Sequence, residues 1–220
     1  MSQNIAEVPK PNYFEIFTKV LNELNWREVS DFDEIVKSEH KRILNLINIV
    51  NAEVLSSCIW DFLLERSIIT LDVNQDTIFD NFDGKIISIF EGNKKYKFIP
   101  PAVFLRCKMN FANVYSNVEN KIVTLPFEQS RELNVVYTRN LFARDASGNR
   151  KIKMEEKQDT SIIPASHIEP VLVYGTLIKV KANPSFAKFG YWRTLYFNAL
   201  ANLRTQSGAS YENSPMITFG

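Results

Sequence analysis

The most regular pattern in the chain covers residues 38–71, where helical spacing of apolar residues gives way to a β-branched run. Ser38 is a candidate N-cap, and Glu39 adds negative charge to the first turn. The asparagines at 45, 48 and 51 lie largely off the apolar stripe. Residues 63–71, LLERSIITL, predict a strand. The stripe itself has i, i+3, i+4, i+7 spacing and consists of Ile43, Leu44, Ile47, Val50, Val54 and Leu55.

A shorter amphipathic pattern predicts a first helix near residues 13–25. Asn12 is its candidate N-cap, and Glu15 three residues later completes a capping-box sequence. The preceding residues 1–12 are polar and contain two prolines, which favours an extended arm.

Short β-prone stretches, separated by Gly, Asn and Pro, dominate residues 72–140 and predict strands. Residues 100–115 suit either a strand or a short helix. Residues 142–160 are polar, with Gly148 near their middle, and predict an exposed, projecting hairpin or long loop. The predicted strands lie in residues 85–90, 95–99, 121–127 and 132–140.

Helical patterns return after Pro164. Ser166 is a candidate N-cap with Glu169 three residues on, and a second helix is predicted from about Pro184. The short connection predicts an antiparallel hairpin. Two helices, a run of strands and two further helices predict an α+β fold, in which N- and C-terminal helices form a bundle with an inserted antiparallel β-domain.

The predicted domain boundaries follow from this order. Residues 1–62 supply the N-terminal arm and the first helices of the bundle, and 63–163 form the β-domain with its long loop at 142–160. Residues 164–206 are the helical hairpin that completes the bundle, and 207–220 are an extended C-terminal tail.

Composition and charge narrow the possible functions. The chain has 220 residues and a net charge of +1, without the Lys and Arg excess that usually marks a phosphate-binding stripe. Cys58 and Cys107 lie in apolar surroundings and are expected to be free, buried thiols. No secretory signal is expected at the start of the chain, and the apolar runs are too short for a membrane span.

No stretch predicts a catalytic, cofactor or metal site. Asp72, Asn74 and Asp76 match the opening of a calcium loop, but Thr77 stands where a sharp turn needs Gly, and Asp83 replaces the final Glu. A solvated acidic loop is therefore favoured for residues 72–84. His40 and His167 have no recognisable nucleophile partner, and surface or capping roles are expected for both. These observations indicate a protein that is not an enzyme.

Aromatic residues are the strongest candidates for anchoring and contact. Trp60, at the predicted helix–strand junction, is expected to bury its ring and send its N–H to a backbone carbonyl, with Phe62 beside it. Residues 188–197 hold more aromatics than one helix face needs for a core. Tyr191 and Trp192 are therefore candidates for contact with another subunit, the alternative being core packing.

Residues 42–71 resemble the signature of the tail tubular protein A family, the head-to-tail adaptor (gatekeeper) proteins of short-tailed bacteriophages. In that family a helix of the form R-I-L-N-x-I-N ends at W-x-F, and a strand with I-T-L follows. The similarity extends to residues 13–34 and 159–204, about half of the chain in all. The segment after the strand lacks the family's L-P-x-D proline, and the middle strands match no family motif. The matching residues are Arg42, Ile43, Leu44, Asn45, Ile47, Asn48, Trp60, Phe62, Ile69, Thr70 and Leu71.

The resemblance implies a structural virion protein of the phage neck, assembled in the host cytoplasm. Such adaptors form a ring, typically a dodecamer, between the portal and a tail nozzle of the tail tubular protein B type, with tail fibres as further neighbours. DNA passes through the lumen without specific binding. We hypothesise that Met216, Ile217 and Phe219 dock on the portal or an adjacent subunit. The alternatives are another phage neck or tail completion protein, a monomeric interaction module, or a small-molecule-binding α+β domain.

Overall fold

A computed structural model describes residues 9–106 and 113–208 and divides into two compact units. Met1–Phe62 and Leu141–Gly220 form one, here the helical unit, and Leu63–Asn140 form the other, the β-unit. Helices and mainly antiparallel sheets give the α+β fold that the sequence predicts. The first predicted boundary, after residue 62, agrees with this division, but the second lies at 140 rather than 163.

The helices and strands have the following bounds. The helices are α1 (Tyr13–Glu23), α2 (Ser38–Ser56), α3 (Pro101–Phe104), α4 (Ala165–Val180) and α5 (Phe189–Gln206). The strands are β1 (Glu65–Leu71), β2 (Thr77–Phe79), β3 (Gly84–Glu91), β4 (Lys94–Lys95), β5 (Lys97–Phe98), β6 (Val114–Val118), β7 (Lys121–Thr124), β8 (Arg131–Arg139), β9 (Ala143–Arg144), β10 (Arg150–Lys151) and β11 (Thr160–Ser161).

The helix starts follow the predicted capping only in part. At α1 the Asn12 side chain accepts the Glu15 N–H, and the Glu15 carboxylate accepts the Asn12 N–H, both at 2.9 Å, which confirms the capping box. The capping role predicted for Ser38 is wrong, because Ser38 is already the first residue of α2 and its hydroxyl bonds Glu39. Ser166 likewise lies inside the first turn of α4, behind Pro164.

Helix α4 is the centre of the helical unit and packs against α1, α2 and α5. Its side chains are buried on several faces, including Ile168, Leu172 and Leu177. Gly175 makes the close packing possible, because a Cβ there would lie 2.6 Å from Val50 Cγ1 and 2.8 Å from Tyr196 Cε2. Only a residue without a side chain lets α2 and α5 approach α4 this closely.

The segment from Leu141 to Ile163 belongs to the helical unit and does not project from it. Strand β9 pairs with both β10 and β11 in a small antiparallel sheet. Met154, Asp159 and Ser161 are almost completely buried. The predicted exposed hairpin is present, because β9 and β10 flank a turn whose residues 146–149 are exposed. The prediction that the whole stretch 142–160 projects as an exposed loop is wrong, because its C-terminal part is anchored by buried residues, and local polarity did not distinguish the two parts.

The β-unit consists of two four-stranded sheets around a common apolar core. One sheet has the order β1-β8-β3-β4 and the other β2-β7-β6-β5, with β5 and β6 the parallel pair. The predicted strand at 63–71 is confirmed as β1, which pairs with β8 along its whole length. Core residues from both sheets include Leu71, Ile78, Phe82, Ile89, Tyr96, Tyr115, Ile122, Leu133, Val135 and Tyr137.

Two ambiguous stretches of the β-unit are resolved by the fold. The predicted strand at 95–99 is split between the two sheets, because Tyr96 turns into the core between β4 and β5. In residues 100–115, α3 and β6 occupy the two ends, and residues 107–112 lie outside the described chain. Within residues 9–106 and 113–208, the helices lack the combined length and apolarity that a membrane crossing requires.

Candidate anchoring and contact sites

Trp60 closes the C-terminal end of α2. Its ring is completely buried, and Nε1 donates a hydrogen bond to the Val54 carbonyl oxygen at 3.0 Å. Ser57 Oγ donates to the same carbonyl at 2.8 Å, and the Phe62 ring stacks on Trp60 with centroids 5.5 Å apart. The predicted burial and N–H contact are thus confirmed.

The Asn48 side chain on α2 hydrogen-bonds both backbone groups of Met154, as the backbone of a neighbouring strand would. Its Nδ2 donates to the Met154 carbonyl and its Oδ1 accepts the Met154 N–H, both at 2.9 Å. The same Nδ2 lies 2.9 Å from Tyr13 Oη, which donates to the Leu44 carbonyl at 2.8 Å. One side-chain amide therefore connects α1, α2 and the 141–163 segment.

Asn51, one turn further along α2, repeats this arrangement. It is 1% exposed, donates to the Phe142 carbonyl at 3.0 Å and accepts the Ser161 hydroxyl at 2.7 Å. Ser161 Oγ in turn accepts the Ile163 N–H at 3.1 Å. We call Asn48 and Asn51 the asparagine clamp. The prediction that Asn51 lies off the buried face of α2 is therefore wrong. The sequence analysis missed the clamp, whose only local signal is two asparagines three residues apart on one helix.

Asp159 is a buried carboxylate that organises the end of the same segment. Its Oδ2 accepts the N–H groups of Glu155 and Glu156 at 2.7 and 2.9 Å, and the Lys151 ammonium at 2.8 Å. Burial would raise the pKa of Asp159, but these hydrogen bonds outweigh it and hold the pKa below its usual value. The carboxylate therefore acts as a structural anion.

The two aromatic contact candidates of α5 have different environments. Tyr191 is 60% exposed, whereas Trp192 is completely buried and stacks on Phe186 with centroids 5.4 Å apart. Trp192 Nε1 donates to Glu23 Oε2 at 3.2 Å. Trp192 is thus a core residue, and its prediction as an interface residue is wrong. Phe197, 54% exposed, joins Tyr191 as a solvent-facing aromatic. The candidates Met216, Ile217 and Phe219 lie outside the described residues.

Both histidines are buried, which contradicts the predicted surface or capping roles. The His40 ring makes an edge contact with Phe17, with centroids 5.7 Å apart, and burial lowers its pKa. His167 Nε2 lies 2.8 Å from Gln206 Oε1, which connects α4 with α5. Each histidine therefore has a packing role inside the helical unit.

The acidic stretch 72–84 does not form a calcium loop. Strand β2 interrupts it, and the carboxylate of Asp83 accepts the side-chain amide of Asn140 at 2.6 Å. Asn74 donates its N–H to the Phe127 carbonyl at 2.9 Å. Across the described parts of the chain, no group of three or more His, Cys, Asp and Glu side chains is arranged to hold a metal ion.

Comparison with known proteins adds no relative. No protein-family model matches the chain, and no curated protein matches its sequence. A functional interpretation therefore depends on the resemblance of residues 42–71 and on the geometry described above.

Proposed function

We propose that this chain is a structural virion protein of a short-tailed bacteriophage, a ring-forming adaptor between the portal and the tail nozzle. The observation that carries the proposal is the stretch 42–71. Its adaptor-like sequence covers α2, the buried Trp60 and strand β1. A helical unit built from two chain segments, with the β-unit inserted between them in sequence, also agrees with the fold that the resemblance implies.

The roles of the motif residues support a mechanical function. In the family-like sequence, Asn48 is the clamp residue that joins α2 to Met154, and Trp60 closes the same helix. Burial raises the pKa of Tyr13 and lowers the pKa of His40, and both side chains are engaged in hydrogen bonds or packing, while hydrogen bonds hold the pKa of Asp159 low. The placement of these three groups favours a structural role in the helical unit over a catalytic role.

Exposed apolar side chains on each unit support assembly. The helical unit carries Tyr191 and Phe197, and the β-unit carries Ile68, which is 66% exposed. A ring of identical subunits uses two different faces of each copy, and closes when the rotation between neighbours is right. The net charge of +1 suits a conduit, since many phosphate contacts would retard the passage of DNA.

Direct assembly with the portal tests the proposal. We would mix the full-length chain with the portal protein of the same genome and examine the product by sedimentation and electron microscopy. We expect rings that are coaxial with the portal. A chain that stays monomeric with both portal and nozzle would contradict the proposal, and rings on a different neck component would favour the completion-protein alternative.

A matched pair of variants tests the contact surface. Tyr191→Ser combined with Phe197→Ser is expected to lower ring yield at least about ten-fold, because aromatic contacts dominate protein interfaces. Ile152→Ser is the control, since Ile152 is 63% exposed on the same unit but belongs to the 141–163 segment. Equal yields from the two variants would exclude α5 as the contact surface.

A further inference from the structure

Among the described strands, β1 is the longest of the four terminal strands of the two sheets of the β-unit. The terminal strands are β1, β2, β4 and β5, and β4 leaves residues 84–88 of β3 uncovered. Strands β2, β4 and β5 have only two or three residues, and lysines 94, 95 and 97 lie on β4 and β5. Short strands and lysines are the usual protection of a sheet edge against pairing with another chain. Strand β1 has seven residues, and its charged side chains, Glu65 and Arg66, are confined to its first two positions.

The edge of β1 presents both backbone groups and an apolar surface. All of β1 pairs with β8 on one side, so alternate residues direct their N–H and C=O groups to the other side. Ile68 lies at the centre of the strand and is 66% exposed. It borders a shallow groove that lies over the β1–β8 pair and is also lined by Arg66, Ser67, Asn134, Val135 and Val136. Such an edge is a template for one additional strand.

We propose that residues 215–219 of a second copy of this chain add a strand to the edge of β1. This inference rests on the proposed ring-forming function. The stretch PMITF is rich in residues that favour strands, and Ile217 and Phe219 fall on one face of an extended chain. Residues 213–220 contain no charged side chain, so docking beside Ile68 buries none. Pro215 stands at the first position, where a strand tolerates a missing N–H.

The tail has a limited reach. Residues 209–214 lie between Gly208, the last described residue, and the proposed strand, so Pro215 lies at most about 25 Å from Gly208 when the connection is extended. A tail that binds the next copy uses two different surfaces of each chain, so the contact repeats around a ring. Pairing of β1 with its own equivalent would instead produce a closed dimer.

Cysteine cross-linking between differently tagged chains tests the contact. In a background with Cys58→Ala and Cys107→Ser, one chain carries Ile68→Cys and the other Ile217→Cys. The two are mixed with portal rings under a mild oxidant. We expect a cross-linked heterodimer at least ten-fold more abundant than with Ile152→Cys in place of Ile68→Cys. The control position has a similar exposure, 63% against 66%.

Equal yields at the two positions would overturn the inference. A chain that carries both Ile68→Cys and Ile217→Cys is a further sample, and a cross-link that forms only within that single chain would also overturn it. Rings on the portal without the cross-link would also overturn it, while leaving the proposed function intact. Cross-linked heterodimers without portal-bound rings would support the strand contact and contradict the adaptor function.

Substitution of Ile68 provides an independent test. Ile68→Lys places a charge on the edge, whereas Ile68→Thr keeps a β-branched residue. The chain with the Ile68 substitution carries Thr70→Cys as its cross-linking position, and the other chain carries Ile217→Cys. We expect Ile68→Lys to reduce this cross-link about ten-fold and Ile68→Thr to leave it within about two-fold, with unchanged melting temperatures. An equal effect of both substitutions would contradict the proposal.

Discussion

At the scale of single residues, Asp159 shows how a buried charge can organise a loop. Removing a carboxylate from water costs several kcal/mol unless hydrogen bonds and an opposite charge compensate. Here two backbone N–H groups and the Lys151 ammonium do so, all through Oδ2. The same side chain is 1% exposed, so little of this compensation comes from solvent. The turn at residues 155–159 thus depends on the ionised form.

This dependence predicts a pH-sensitive stability. Because the folded-state pKa lies below the ordinary value of 3.8, the contribution of Asp159 is present above that value and lost as pH falls through the folded pKa. Asp159→Asn should lower the free energy of unfolding by about 2 kcal/mol at pH 7. We expect the difference from wild type to shrink between pH 5 and 2, measured by urea denaturation.

The exposed neighbour Glu156 provides the control for this prediction. Glu156→Gln should change the free energy of unfolding by less than about 0.5 kcal/mol at any pH in this range. A difference between wild type and Asp159→Asn that stays constant from pH 7 to 2 would show that the charge is not what stabilises the turn.

At the scale of elements, the asparagine clamp explains why the 141–163 segment belongs to the helical unit. Strands β9, β10 and β11 have two residues each and are too short to be stable as an isolated sheet. Asn51 hydrogen-bonds Phe142 and Ser161 at this small sheet, and Asn48 hydrogen-bonds Met154 between β10 and β11, so both connect the segment to α2. Helix α2 therefore supplies hydrogen bonds that a neighbouring strand would otherwise supply, and the segment packs as one layer of the helical unit.

Asn48→Ala is expected to release this segment. The substitution removes the acceptor of the Met154 N–H and the donor to the Met154 carbonyl. We expect the free energy of unfolding to fall by about 1–3 kcal/mol. The Met154 amide should also exchange its hydrogen faster. Asn45→Ala, the same substitution at an exposed position of α2, is the matched control and should have little effect. If both variants exchange at the wild-type rate, the clamp is not what holds the segment.

At the scale of the whole molecule, assembly is expected to depend on how rigidly each unit is built. Trp60 fills the space behind the C-terminal end of α2, and the acidic stretch 72–84 lies in exposed turns around β2. Removal of a buried tryptophan side chain costs about 3–5 kcal/mol, whereas exposed polar substitutions usually change little. We therefore expect substitution of Trp60 to reduce ring formation much more than substitutions in the acidic stretch 72–84.

We predict that Trp60→Ala harms ring formation on the portal more than Asp72→Asn combined with Asp76→Asn. Trp60→Phe should retain most of the ring yield, because it loses the hydrogen bond to Val54 but keeps most of the packing. Counting rings by electron microscopy at equal protein concentration measures the effect. Normal rings from the Trp60→Ala protein would refute the assembly role of this residue.

The sequence by itself determined the elements whose signals are local. The capping box at Asn12, the apolar stripe of α2 and the β-branched run of β1 each involve residues a few positions apart, and all three appear as predicted. The indole N–H contact of Trp60 spans only six residues. Such patterns are readable because the interacting groups lie on one helix or one strand.

Only the tertiary structure decided the environment of residues whose partners are distant in sequence. Asn48 meets Met154 across 106 residues, and Asn51 meets Phe142 across 91. Trp192 is buried and hydrogen-bonds Glu23, which lies 169 residues away in sequence. The local aromatic pattern therefore could not distinguish it from the exposed Tyr191. A polar segment such as 141–163 is solvated or buried according to whether distant groups satisfy its hydrogen bonds, and local polarity does not encode those groups.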